Sequence, residues 1–232
     1  MSIQLKINPA VLKSVPLFAA FTDQQIKTLL SYVQHRSYAR NVYVMQAGDE
    51  TDSIYVLLSG KAKVLINDEQ GHEVILGYMG AQDFFGEMGI LDDQPRSASV
   101  YTLEACEMLR LSKDGFMSCL KENTEVAMLV IRNLVRRLRA ADRKIESLAL
   151  VDVSGRVARI LLDIAEEIDG RLMVQSTPAK QDIARQIGAS REMVSRVVKD
   201  LEQRGLIRAE RRSMVIIDRN ILRTLKSPVK SK

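Results

Sequence analysis

The sequence predicts an α+β chain: an N-terminal antiparallel β-roll, a long helix, and a C-terminal winged helix-turn-helix. Three observations carry that reading. Brief runs rich in Val, Ile, Tyr and Leu, punctuated by glycines, fill residues 38 to 112. A stretch with heptad spacing follows. Beyond it, two short helical patterns are joined by a glycine turn.

Ahead of the roll the chain reads as short helices. Residues 11 to 18 are apolar, and Thr22 with Gln25 forms a capping box before Ile26, Leu29, Leu30 and Val33 at helical spacing. The strands of the roll are read at 42–45, 54–58, 62–66 and 74–78. Seven of the 12 glycines (Gly48, Gly60, Gly71, Gly77, Gly80, Gly86, Gly89) lie between residues 48 and 89, at intervals suited to tight turns.

Residues 113 to 150 contain no Pro and, after Gly115, no Gly. Ile131, Leu134, Leu138, Ala141, Ile145 and Leu148 recur there at alternating spacings of 3 and 4, a heptad seam. Arg132, Arg136, Arg137, Arg139, Arg143 and Lys144 flank it, so the other faces are charged and wet. Two readings stand: an amphipathic helix lying on its own domain, or a parallel dimer helix in which the six heptad residues Ile131, Leu134, Leu138, Ala141, Ile145 and Leu148 meet a second copy of the chain.

Residues 154 to 168 read as a further helix, closed by Asp169-Gly170. Thr177 and Pro178 then supply an N-cap and a first-turn proline, Ile183, Ala184 and Ile187 a short helix, Gly188 a turn, and Ser190 the next N-cap. In the second helix Val194, Val197, Val198 and Leu201 bury one side, while Glu192, Ser195, Arg196 and Lys199 repeat the same spacing on another, with Arg191 in the first turn.

This arrangement suits a major groove. Arg forks onto guanine O6 and N7 and Glu accepts from cytosine N4, each worth about 1 to 3 kcal/mol of discrimination. Gln181 and Ser190 complete the expected DNA-facing set. Residues 206 to 208 and 214 to 217 read as two wing strands, with Arg211 and Arg212 as phosphate contacts.

Charge supports the division. Of 34 basic and 29 acidic groups, residues 1 to 123 carry 11 and 15, residues 124 to 153 carry 6 and 4, and residues 154 to 232 carry 17 and 10. We read these as a sensor roll, a dimerisation helix with its hinge, and a winged helix-turn-helix domain. A basic module on an acidic body points to double-stranded DNA as partner, because phosphate neutralisation releases condensed counterions. The Lys- and Ser-rich end, residues 225 to 232, would add nonspecific affinity.

The sequence argues against other classes. With 46% hydrophobic residues it is not disordered, and no uncharged run approaches the roughly 20 residues of a spanning helix. Nothing near the N-terminus reads as an export signal, so a cytoplasmic protein is expected. Cys106 and Cys119 are read as buried free thiols, too few for a disulfide framework, a four-thiolate zinc site or an iron–sulfur cluster. His35 and His72 are isolated, so neither metal nor haem is expected. No Walker-type loop, nucleophile elbow or zinc-protease signature marks an enzyme.

Two motifs resemble the CRP/FNR family of transcription regulators, and the resemblance covers nearly the whole chain. Gly188-Ala189-Ser190-Arg191-Glu192-Met193-Val194-Ser195-Arg196, followed by Leu201-Glu202 and Gly205-Leu206-Ile207, is similar to that family's recognition helix. The resemblance implies that Arg191, Glu192 and Arg196 read a TGTGA-type half-site, repeated as a palindrome by a homodimer. It also implies RNA polymerase as a further partner and no membrane partner, and it leaves activation and repression both open.

The second motif, Phe85-Gly86-Glu87-Met88-Gly89 with Pro95-Arg96-Ser97-Ala98, resembles the phosphate-binding cassette of cyclic-nucleotide-binding domains. The chemistry suits it. Arg96 with the Ser97 hydroxyl would hold the cyclic phosphate, Glu87 would accept from the ribose 2′-OH, and Gly86 would let backbone approach the sugar. The resemblance pairs Glu87 with Arg137, and it puts Ala141 and Asp142 where the cAMP-binding pattern has Thr and Ser. Ala141 offers no hydrogen bond and ionised Asp142 only accepts, so base specificity is open. The effector expected is a cyclic nucleotide, with cAMP favoured. The alternatives are control by cyclic di-GMP and activity without ligand.

Overall fold

A computed structural model describes residues 8–68, 73–210 and 213–225. The chain divides into two compact units, Met1–Arg137 and Leu138–Lys232, with the division inside one long helix. Each unit has its own core.

The first unit begins with α1 (Pro9–Lys13) and α2 (Asp23–Leu29). Thr22 caps α2 through the anticipated reciprocal bond with Gln25. The apolar run at residues 11 to 18 is not one helix: Ser14 closes α1, and Pro16–Phe18 forms a separate turn of 3₁₀ helix, since Pro16 has no N–H to continue the first.

The strands follow as β1 (Val33–Tyr38), β2 (Tyr43–Met45), β3 (Ser53–Ser59), β4 (Ala62–Asn67), β5 (Glu73–Met79) and β6 (Phe84–Phe85). The one-turn helix α3 (Met88–Leu91) precedes β7 (Ser99–Thr102) and β8 (Cys106–Ser112). They form two antiparallel four-stranded sheets, ordered β1-β8-β3-β6 and β2-β7-β4-β5. Tyr55, Leu57, Phe85 and Met108 of the first meet Ala62, Met79 and Val100 of the second in an inner core.

The opposite face of the first sheet is also covered. Ile54, Val56, Leu109 and Leu111 pack against Leu12, Phe18 and Ile26, and against Phe116 of α4 (Lys113–Glu122) and Val126 and Val130 of α5 (Thr124–Leu150). Burial on both faces is why β3 reads as a continuous apolar run rather than an alternating one. Gly60, with φ +92°, turns the chain from β3 to β4 where a Cβ would stand 2.4 Å from Ala105 O.

The second unit continues through α6 (Val153–Asp163), β9 (Glu166–Ile168), β10 (Arg171–Val174), α7 (Lys180–Ile187), α8 (Arg191–Gln203), β11 (Ile207–Glu210), β12 (Ser213–Ile216) and α9 (Arg219–Thr224). Its sheet runs β11-β12-β10-β9. Val157, Leu161, Ile183, Ile187, Val194, Val198, Leu201, Ile207 and Met214 share one core.

Two expectations are corrected here. The helix read over residues 154 to 168 ends at Asp163, and Glu166–Ile168 is a strand. Asp169 and Gly170 both take positive φ, 50° and 72°, so they turn a β-hairpin rather than cap a helix. The helix expected from Thr177-Pro178 starts two residues later, capped by the Ala179 carbonyl, which accepts from Asp182 and Ile183 N–H, with no side-chain cap. Among the described residues no helix is long and apolar enough to cross a membrane.

Candidate functional site

The first cluster forms where β6 ends. Gly86 has φ +87°, and a Cβ there would stand 2.6 Å from Arg96 Nη1 and 3.1 Å from Ser53 O, so only glycine lets the guanidinium lie against this backbone. Arg96 is buried. Its Nη1 donates to Gly86 O at 2.9 Å, its Nη2 donates to Ser53 Oγ at 3.4 Å, and Nη2 stands 3.6 Å from Asp52 Oδ1. Backbone bonds pin the segment: Arg96 N–H donates to Asp49 O and Gly48 N–H to Arg96 O.

Glu87 is fully buried. Arg137, on α5, donates Nη1 to Glu87 Oε1 at 2.8 Å and Nη2 to Phe84 O, with its guanidinium 5.9 Å from the Phe84 ring centre. Glu87 Oε2 has no hydrogen-bond partner among the described residues. Burial pushes the Glu87 carboxyl above its ordinary value, and the Arg137 charge offsets that only in part.

An orphaned buried acceptor beside a buried guanidinium, over a glycine that cannot carry a side chain, fits a ligand with a hydroxyl donor and an anionic group. Ser97 is exposed, its Oγ 3.8 Å from Met88 Sδ, and Met88 is exposed too. Ala141 and Asp142 lie exposed on α5.

The sequence reading missed the side chains beside Arg96, namely Asp52 and Ser53, and Arg110, which pairs with Asp52. No local motif marks them, because β3–β8 register, with Tyr55 opposite Arg110, is what brings them together.

In the second unit Gly188 takes φ +62° and ends α7, and the Ser190 side chain caps α8 by accepting from Met193 N–H at 3.2 Å. Val194, Val198 and Leu201 are buried, which leaves Arg191, Glu192, Arg196 and Lys199 exposed on the other side. Glu192's own backbone N–H and the Ser190 hydroxyl hold its carboxyl below the usual range, so it is an acceptor at neutral pH.

Ser195 is half-buried, and its Oγ accepts from Lys180 Nζ at 3.2 Å. Lys180, beside exposed Gln181 in the first turn of α7, was not singled out from the sequence, since a lone lysine at a helix start carries no signal. Arg211 and Arg212 lie outside the described residues.

Along α5, Ile131, Leu138, Ile145 and Leu148 are exposed, Leu138 to 62% and Ile145 to 64%. Leu134 instead packs half-buried against the core of the first unit, and Leu148 lies beside the Gly188 turn.

The family model for the cyclic nucleotide-binding domain matches residues 35–123, and that for the Crp-like helix-turn-helix domain matches residues 155–225. The chain is 34% identical over 200 residues to the cAMP-activated global transcriptional regulator Vfr of Pseudomonas aeruginosa, covering 83% of this chain and 94% of that one. The chain belongs to the CRP/FNR family of transcription regulators.

A second CRP/FNR relative, the cAMP-activated global transcriptional regulator CRP of Salmonella typhimurium, is 33% identical over 199 residues, covering 84% of this chain and 95% of the relative. Among solved structures, the c-di-GMP-responsive global regulator CLP of Xanthomonas campestris matches with a TM-score of 0.70 at 28% identity, over 85% of this chain and all of that one. These relatives are transcription regulators, not enzymes. As a member of the family the chain is a DNA-binding transcription regulator with a cyclic-nucleotide-binding domain.

Proposed function

We propose that the chain works as a homodimer whose DNA binding is controlled by a cyclic nucleotide, with cAMP the favoured effector. Residues 1 to 123 sense the ligand, residues 124 to 153 carry the dimer helix and hinge, and residues 154 to 232 bind DNA. The observation that carries this reading is the paired and orphaned oxygens of buried Glu87 beside buried Arg96.

In this reading Glu87 Oε2 accepts from the ribose 2′-OH, and Arg96 and Ser97 hold the cyclic phosphate. Gly86 and Met88 complete the cassette and Arg137 fixes Glu87, while the family pattern brings Ala141 and Asp142 to the base. The exposed apolar positions Ile131, Leu138, Ile145 and Leu148, with Leu134 and Ala141, form the dimer seam. The paired recognition helices then read a TGTGA-type palindrome through Arg191, Glu192 and Arg196, supported by Gln181, Ser190, Ser195, Lys199, Arg211 and Arg212. RNA polymerase is the further partner.

Ligand shifts the equilibrium only by binding one arrangement of the dimer better than another. A second reading, control by cyclic di-GMP, is favoured by Ala141 and Asp142, which provide no donor for adenine ring nitrogens, and by the likeness to the c-di-GMP-responsive CLP. Titration of a labelled palindromic duplex at fixed salt, without ligand and with each nucleotide, decides between them. Tighter binding with cAMP supports the first reading, and a response to cyclic di-GMP alone supports the second. Specific binding indifferent to both means activity without ligand, and no specific binding overturns the proposal.

A further inference from the structure

We infer that Arg110 is a positioning residue for the bound anion, drawing the Asp52 carboxylate away from Arg96 so that the Arg96 charge stays available to a phosphate. This rests on the reading of Arg96 as the phosphate-holding residue.

The geometry is a short relay along the β3–β8 pair. Asp52 stands just before β3 and Ser53 opens it, while Arg110 lies on β8 across from Tyr55. Ser53 Oγ donates to Asp52 Oδ1 at 2.7 Å and accepts from Arg96 Nη2 at 3.4 Å, and Arg96 Nη2 stands 3.6 Å from the same Asp52 oxygen. Arg110 Nη2 donates to the other one, Oδ2. One carboxylate is thus shared by two guanidiniums.

The charge balance follows directly. Arg96, Arg110 and Asp52 together carry one net positive charge, and without Arg110 the remaining Arg96–Asp52 pair is neutral. Only 3% of the Arg96 side chain reaches solvent, so a counter-ion on it is poorly screened and competes with an incoming phosphate. Burial pushes the Asp52 carboxyl up, but the Ser53 hydrogen bond and the charges of Arg110 and Arg96 outweigh it and keep the group ionised at neutral pH. The Asp52 side chain itself is 63% exposed, which limits the effect to a modest factor.

The test is a double-mutant cycle in the full-length chain, with cAMP and cyclic di-GMP affinities measured by titration calorimetry at fixed salt for wild type, Arg110→Gln, Asp52→Asn and the double variant. The expected result is that Arg110→Gln weakens binding by about three- to tenfold, and that the same change made on the Asp52→Asn background alters it by less than about twofold. Arg110→Lys, which keeps the charge, is expected to stay within about twofold of wild type and guards against loss of fold in the Gln variant.

Equal losses in both backgrounds overturn the inference, because Arg110 would then act on the phosphate without Asp52. An unchanged affinity in Arg110→Gln overturns it as well. Wild type that binds neither nucleotide overturns the cyclic-nucleotide reading itself, a different failure from a bound nucleotide indifferent to Arg110.

Discussion

Arg137 reaches 50 residues back along the chain to place Nη1 2.8 Å from Glu87 Oε1, so the long helix α5 supplies the counter-ion for the one carboxylate buried in the candidate ligand site. Its partner oxygen has no donor among the described residues, and that half-satisfied state makes Glu87 sensitive to both ligand and pH.

The folded chain holds the Glu87 proton more tightly than the unfolded chain does, because burial raises the carboxyl above its ordinary value of 4.5. Stability from this group is full below that ordinary value and is lost as pH rises through the raised folded one. Glu87→Gln stays neutral throughout. Thermal melts of the two proteins should therefore converge in acid and separate as pH rises above about 4.5, with the Gln variant the more stable near neutrality. A gap that widens toward low pH instead would show that Arg137 dominates burial.

Gly86→Ala adds a Cβ 2.6 Å from Arg96 Nη1 at a φ of +87°. The strain should cost about 1 to 3 kcal/mol in urea unfolding, and the displaced guanidinium should weaken cyclic-nucleotide binding in the same variant. A substitution without effect on either would mean that the turn and Arg96 relax freely.

Arg191→Ala should cost about 1 to 3 kcal/mol at one base pair of each half-site and relax preference there, whereas Arg211→Ala should weaken all sequences alike and lower the salt dependence by about one ion. Affinities across a panel of singly substituted duplexes check this. Uniform losses in both variants would remove Arg191 from base reading.

Leu138 is 62% exposed in the single chain, and Leu138→Glu puts a charge in the proposed seam. Sedimentation at micromolar concentration should shift from dimer to monomer, and palindrome binding should lose its two-site character while the melting of the chain changes little. An unchanged sedimentation coefficient would leave α5 as a helix that serves its own domain.

Burial, reinforced by the Glu122 charge, pushes the Cys119 thiol up to about 12. Alkylation in the native state should accordingly be slow, and should become fast on unfolding. Mass spectrometry after timed iodoacetamide treatment reads the difference directly.

Much of this was legible in residue order because it is written locally. The cap Thr22–Gln25, the Gly188 turn with its Ser190 cap, and the apolar and polar faces of α8 each depend on residues within one or two turns of each other. Misreadings came where one local signal serves two structures. Asp169-Gly170 suits a helix end and a hairpin equally, and the pairing of Glu166–Ile168 with β10, a contact made in space, settled it. Thr177-Pro178 resembled a helix start, but the chain bends into α7 only after Ala179.

By itself, then, the sequence determined the order of modules, the heptad spacing of apolar residues along α5, and the apolar and charged faces of α8, since periodicity, caps and charge are properties of neighbouring residues. Only the tertiary structure decided which buried groups share a charge. Sheet register and the docking of α5 on the first unit bring Asp52 and Ser53 to Arg96 and Arg110, and Arg137 to Glu87, across tens of residues. At those distances a buried ion is stabilised by whatever packing places within a few ångströms of it, and no local pattern encodes that.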